Sequence, residues 1–157
     1  MMVERFAGLC CLIAACAATS SVHGQSTNVT VWDAVYTRAQ AEQGKEVFRK
    51  QCTYCHGIDL AGSEDPNGPA LKGSRFLTRW NGKTVADLFD KIAATMPATD
   101  PGSLSDEGVL AVISYVLEVN GAPAGATMLP NDGRQLEGIR IMSVPPSAAS
   151  ERNARPR

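Results

Sequence analysis

The chain has 157 residues, 44% of them hydrophobic and 20% charged, with a formal net charge of −1. That length gives room for one domain with flanking segments, and the composition is that of ordinary soluble globular proteins. The near-zero charge excludes the strong basic excess that nucleic-acid binding calls for. Basic residues outnumber acidic ones between 38 and 83, and the balance reverses between 84 and 118. This sorting can give the fold a dipole, or it can reflect solvated faces and nothing more.

Residues 1–24 read as an export signal: "MMVER" carries one Arg, "FAGLCCLIAACAA" is apolar, and "SSVHGQ" is small and polar, with cleavage expected after Gly24. The apolar run is too short for a resident membrane-spanning helix. Within it, "LIAAC" resembles a bacterial lipobox, so the alternative processing makes Cys16 a lipid-modified anchor. Cleavage after Gly24 removes Cys10, Cys11, Cys16 and His23, and the mature chain keeps Cys52, Cys55 and His56. A disulfide-stapled fold needs cysteines spread along the chain, so that class is excluded.

Residues 25–36 form a polar, β-leaning lead-in that is expected to pack Trp32 and Tyr36 against the body. "TRAQ" has the capping-box pattern, with Thr37 as N-cap and Gln40 able to return the bond, and it predicts a helix over 38–51. Ala41, Gly44, Val47 and Phe48 recur on one face of it, and a glycine in mid-helix predicts a close crossing by another helix. Residues 57–83 are rich in Gly, Pro, Asn and Ser and read as one long functional loop. Thr84 with Asp87 starts a second helix whose stripe is Val85, Leu88, Phe89 and Ile92, and Pro97 and Pro101 forbid its continuation. Ser105, Asp106 and Glu107 open a third helix, and Asn120-Gly121 stops it. It is apolar almost all round, which predicts burial. From Ala122 on, Pro, Gly and Ala dominate, and 126–157 read as an extended tail with a disordered end.

The chemistry concentrates in "CTYCH", Cys52 to His56. Structural zinc needs four ligands, and the mature chain offers no further Cys or His. A thioredoxin-like dithiol wants a strand-to-helix junction in a βαβ fold, whereas this pair follows an amphipathic helix. C-x-x-C-H is the attachment motif for c-type haem: two thiols add to the two vinyl groups, and the adjacent histidine reaches the iron. Export agrees with that chemistry, and the haem reading prevails. For the sixth ligand the mature chain offers Met96, Met128 and Met142. Met96 lies at a helix end before a proline and is the favoured ligand. Met128 and Met142 fall in the tail and read as gap-fillers.

The run from Val35 to about Gly125 resembles a class I monohaem c-type cytochrome. "VYTRAQAEQGKEVFRKQCTYCHGIDLAG", "PALKGSRFLTRW" and "TMPATDPGSLSDEGVLAVISYVLEVNGAPAG" are more specifically similar to the cytochrome c domains found with pyrroloquinoline-quinone-dependent dehydrogenases. The resemblance implies an all-α fold over 37–125, with three to five helices around one covalently bound haem c and long irregular loops. It implies Cys52 and Cys55 as thioether sites, His56 as proximal and Met96 as distal ligand. Gly44 and Phe48 match first-helix positions that pack on the last helix, with Tyr115 as partner. Pro69 matches the proline whose carbonyl receives the histidine Nδ1–H. Trp80 and Arg79 match positions near the propionates, or are simple packing and a solvated charge.

The function so implied is a periplasmic single-electron carrier, not a substrate-converting enzyme. It would accept electrons from a quinoprotein-type dehydrogenase and pass them to an oxidase or another cytochrome. No dehydrogenase propeller is encoded in these residues, so only the electron-transfer part of such a system is implied. The rivals are a fixed cytochrome subunit of a larger dehydrogenase complex, and a haem peroxidase or gas-binding protein with a labile sixth ligand.

Overall fold

Thr37 starts the first helix by turning its hydroxyl back to accept the Gln40 N–H at 3.2 Å. In the computed structural model, which describes residues 29–63 and 68–145, this helix, α1, spans Arg38–Gln51. The reciprocal half of the expected capping box does not form. Gln40 is 3% exposed, and its amide brackets the backbone of Leu129 instead. Nε2 donates to the Leu129 carbonyl at 3.3 Å and Oε1 accepts the Leu129 N–H at 2.9 Å. A buried amide needs partners at both ends, and this peptide group supplies them.

After α1 come α2 (Thr53–His56), α3 (Gly73–Trp80), α4 (Val85–Thr95), α5 (Asp106–Val119) and α6 (Gly133–Glu137). The strands β1 (Val29–Thr30) and β2 (Ile139–Arg140) pair in parallel, Val29 opposite Ile139 and Thr30 opposite Arg140. The class is all-α, as expected, with six helices among the described residues. Two of them lie where the sequence read as loop or tail. In α3, Phe76 and Trp80 sit one turn apart with ring centroids 6.2 Å from each other, and Phe76 is buried. Past 126, Leu129, Leu136, Ile139 and Ile141 are all buried, so apolar side chains organise a segment whose glycines and prolines argued against structure. The export signal, Cys16 and the residues from 146 onward lie outside the described residues.

The main packing is α1 against α5. A Cβ on Gly44 would overlap the Ala111 carbonyl, so glycine there allows the backbones to touch, at a cost in helix propensity of about 1 kcal/mol relative to Ala. One turn on, Phe48 meets Tyr115 at 5.6 Å with the rings tilted by 59°. The α5 helix starts at Ser105, whose hydroxyl accepts the Gly108 N–H at 3.2 Å, and it buries Val109, Leu110, Ile113, Val116 and Leu117. At α4, Thr84 and Asp87 complete a full capping box. Tyr36 is buried and donates its hydroxyl to the Ala122 carbonyl at 2.6 Å. Trp32 Nε1 donates to the Met142 carbonyl at 2.9 Å.

Candidate functional site

The end of α1 and the single turn α2 share Cys52, which caps one and opens the other. The N–H groups of Cys55 and His56 both reach the Cys52 carbonyl, at 3.3 and 2.9 Å. Helical spacing of three residues puts the Cys52 and Cys55 side chains on one face, and both thiols are free. Burial pushes the Cys52 thiol up to about 11, with the neighbouring Cys55 adding to the rise. His56 is buried at 7% exposure.

From Gly57 the chain turns beneath this motif and comes back. The Gly62 N–H donates to the His56 carbonyl at 2.9 Å, Ser63 N–H to Gly68 at 3.0 Å, and Leu71 N–H to Leu60 at 2.9 Å. The returning strand passes so close that a Cβ on Gly68 would overlap the Cys55 carbonyl. That approach brings Pro69 under the histidine, and His56 Nδ1–H donates to the Pro69 carbonyl at 2.8 Å. The proton on Nδ1 leaves Nε2 as the nitrogen with a free lone pair.

All seven residues expected from the sequence (Cys52, Cys55, His56, Pro69, Arg79, Trp80 and Met96) line one cleft with about 1150 Å³ of empty space, part of it open to solvent. Its walls are mainly apolar, with Leu71, Phe76, Leu88, Ile92, Val112 and Val116 among them. Met96 follows the last turn of α4, extended at φ −127° and ψ 146°, and its N–H donates to Ile92 at 2.9 Å. Met128 departs from the expected gap-filling role. It is 55% exposed because its neighbour Leu129 takes the buried place. Met142 is half-buried and lends its carbonyl to Trp32.

Lys91 also lines the cleft and was not singled out from the sequence. The signal was available, since Lys91 stands three residues after Leu88 and beside Ile92, both on the stripe. Among the described lining residues, the charged side chains are Arg79 and Lys91 and none is acidic. Lys83, outside the lining, stands over the Trp80 ring at 5.7 Å. Two thiols, an imidazole, a thioether, apolar walls and two cations fit a flat apolar macrocycle that has two reactive vinyl groups, an iron and two carboxylates. Among the described residues, no three His, Cys, Asp or Glu side chains cluster as a protein-only metal site would need.

Residues 39–116 match the family model described as cytochrome c oxidase, cbb3-type, subunit III. Among solved structures, the chain is similar to the sulfane dehydrogenase SoxCD from Paracoccus pantotrophus, with 19% identity and a TM-score of 0.44. That similarity covers 76% of this chain, which spans 64% of the other chain's length. No curated protein matches this chain. No helix among the described residues is long and apolar enough to cross a membrane.

Proposed function

The chain belongs to the monohaem c-type cytochromes and carries one covalently bound c-type haem, and from that premise we propose that it is a periplasmic single-electron carrier in which His56 and Met96 would ligate the iron. Electron transfer is the work of this family. When bound, the haem supplies the one-electron chemistry of its iron. Cys52 and Cys55 would hold it by thioether bonds, and His56 would offer Nε2 while the bond from Nδ1 to Pro69 keeps the imidazole from turning. Met96, which lines the same cleft, would hold the iron through its thioether, a donor that raises the potential relative to a harder one. Leu71, Phe76, Leu88 and Val112 keep water from the walls, so little has to reorganise as the charge changes. Arg79 and Lys91, which line the cleft together with Trp80, would favour the propionates by charge.

Within the motif and just after it, Tyr54 and Ile58 stand 90% and 78% exposed and offer apolar contact to a partner. Such redox encounters are small and transient. The donor is a quinoprotein-type dehydrogenase, and the acceptor is an oxidase or another cytochrome. The observation that carries the reading is that Cys52, Cys55, His56 and Met96 line a single apolar cleft.

The test is a coulometric titration of the haem-loaded protein with exposure of the ferrous form to carbon monoxide. A carrier takes up one electron reversibly and binds carbon monoxide slowly or not at all. Rapid binding together with peroxide turnover would instead identify a labile sixth site and an enzyme. A second reading, a cytochrome subunit fixed in a larger complex, is favoured by the matched family's description as an oxidase subunit. Stoichiometric co-purification with a large partner supports it, and a monomer on sizing supports the shuttle.

A further inference from the structure

The segment after Gly125 runs across the domain from α1 to the start of α4. At its beginning the Gly125 N–H donates to the Tyr36 carbonyl at 2.7 Å, and the Leu129 backbone is held at both ends by Gln40. At its far end Ile141 is fully buried and makes two backbone bonds to the linker between α3 and α4. Its N–H donates to the Lys83 carbonyl and its carbonyl accepts the Gly82 N–H, both at 2.8 Å. Arg140 Nη1 donates to the Gly82 carbonyl at 2.9 Å, and the Ser143 N–H donates to Asn81 Oδ1 at 2.8 Å. Arg140 also bridges Thr84, the N-cap of α4.

The elements that α4 packs against are α5, α6 and β2. Two of those three belong to this C-terminal segment, and α1, which leads into the attachment turn, is not among them. The proximal half of the cleft is thus built on α1 and the segments 57–63 and 68–71, and the distal half is built on a helix held largely by residues past 125. We propose that residues 126–143 act as an intramolecular strap that holds α4, and with it Met96, against the cleft, so that strap and distal helix open as one unit. Arg140 and Ile141 are then positioning residues for the distal side, acting through the linker 81–84 and without touching the cleft.

Native-state amide exchange of the full-length, haem-loaded protein tests this under conditions where exchange reports the opening equilibrium. Ile141→Ala removes a fully buried side chain and should speed exchange of the α4 amides by roughly 30-fold or more. The amides of Leu136 and Gly138 should speed up by the same factor. Ile141→Val, the milder change in case the first variant folds poorly, should give roughly 3- to 10-fold in both places. Gly44→Ala, placed at the α1–α5 crossing, should leave the α4 opening unchanged. Faster exchange at Leu136 and Gly138 with α4 unaltered would overturn the proposal, since the strap would then fray alone.

The spectroscopic arm rests on Met96 being the distal ligand. In a denaturant titration, Ile141→Ala should lose the weak red sulfur-to-iron absorption of the ferric form in the same step that opens α4, while the covalent haem stays in place. A wild-type protein without that absorption would refute the ligand assignment, and the exchange data would still decide the strap.

Discussion

Gly68→Ala probes the geometry beneath the attachment turn. The added methyl would overlap the Cys55 carbonyl and stand 2.6 Å from Ser63 Oγ. Cys55 is fixed within α2, so the returning strand has to move. That strand carries two bonds that bear on the site, Ser63 N–H to Gly68 at 3.0 Å and His56 Nδ1–H to Pro69 at 2.8 Å. Overpacking of this kind costs about 1–3 kcal/mol, and losing the imidazole–carbonyl bond adds about 1 kcal/mol. A total of about 2–4 kcal/mol lowers Tm by roughly 10–25 °C for a domain of this size. Thermal unfolding of the haem-loaded variant by far-UV circular dichroism measures it, with Gly133→Ala as control. A Cβ at Gly133 meets nothing within 4 Å, and Ala in α6 should be neutral or stabilising by up to about 1 kcal/mol. A Gly68→Ala protein that melts within about 2 °C of wild type would refute the close approach and the positioning of Pro69 that depends on it.

At the α1–α5 crossing, Gly44→Ala should destabilise by about 1–3 kcal/mol in urea titration despite the better helix propensity, because its methyl meets the Ala111 carbonyl. Burial pushes the Tyr36 hydroxyl from 10.0 up to about 12, with the Glu118 charge adding to it and Arg38 opposing it. Its neutral form is the one the fold binds, so this stabilisation is complete below pH 10 and is lost as pH rises from 10 toward 12. Tyr36→Phe should cost about 1–2 kcal/mol at pH 7 by leaving the Ala122 carbonyl unpaired, and should flatten the alkaline limb of a stability–pH curve. Hydrogen bonds from the Thr84 backbone and side chain hold the Asp87 carboxyl below its ordinary value. That support of the α4 cap is present above the ordinary carboxylate pKa and disappears as pH falls through the depressed value. Thr84→Ala should cost about 0.5–2 kcal/mol by thermal melting and weaken the acid dependence.

Much of the core was legible because it is locally encoded. Thr37, Thr84, Ser105 and Asn120 mark helix ends by side-chain chemistry, and α1, α4 and α5 lie between them. The attachment motif and the crossing glycine were legible for the same reason. The parts that escaped depend on partners distant in sequence. The N-cap residue of α3, Lys72, makes no side-chain capping bond, and the helix is fixed by burying Phe76. The pairing of β1 with β2 joins two-residue strands near opposite ends of the described chain, which no local pattern reveals. Gln40 has the right spacing for a cap yet binds Leu129, because tertiary burial outweighs a local bond that solvent could replace. Lys91 escaped because its place in the cleft depends on Arg79, Trp80 and the attachment turn, all distant from it in sequence or on other elements.

The central claim is that Met96 completes the coordination begun by His56, and the ferric absorption spectrum of the matured protein tests it most directly. The account predicts a weak red sulfur-to-iron band in the wild type that is lost in Met96→Ala, while the haem remains covalently attached. A wild type without the band, or a Met96→Ala protein that keeps it, would contradict the account.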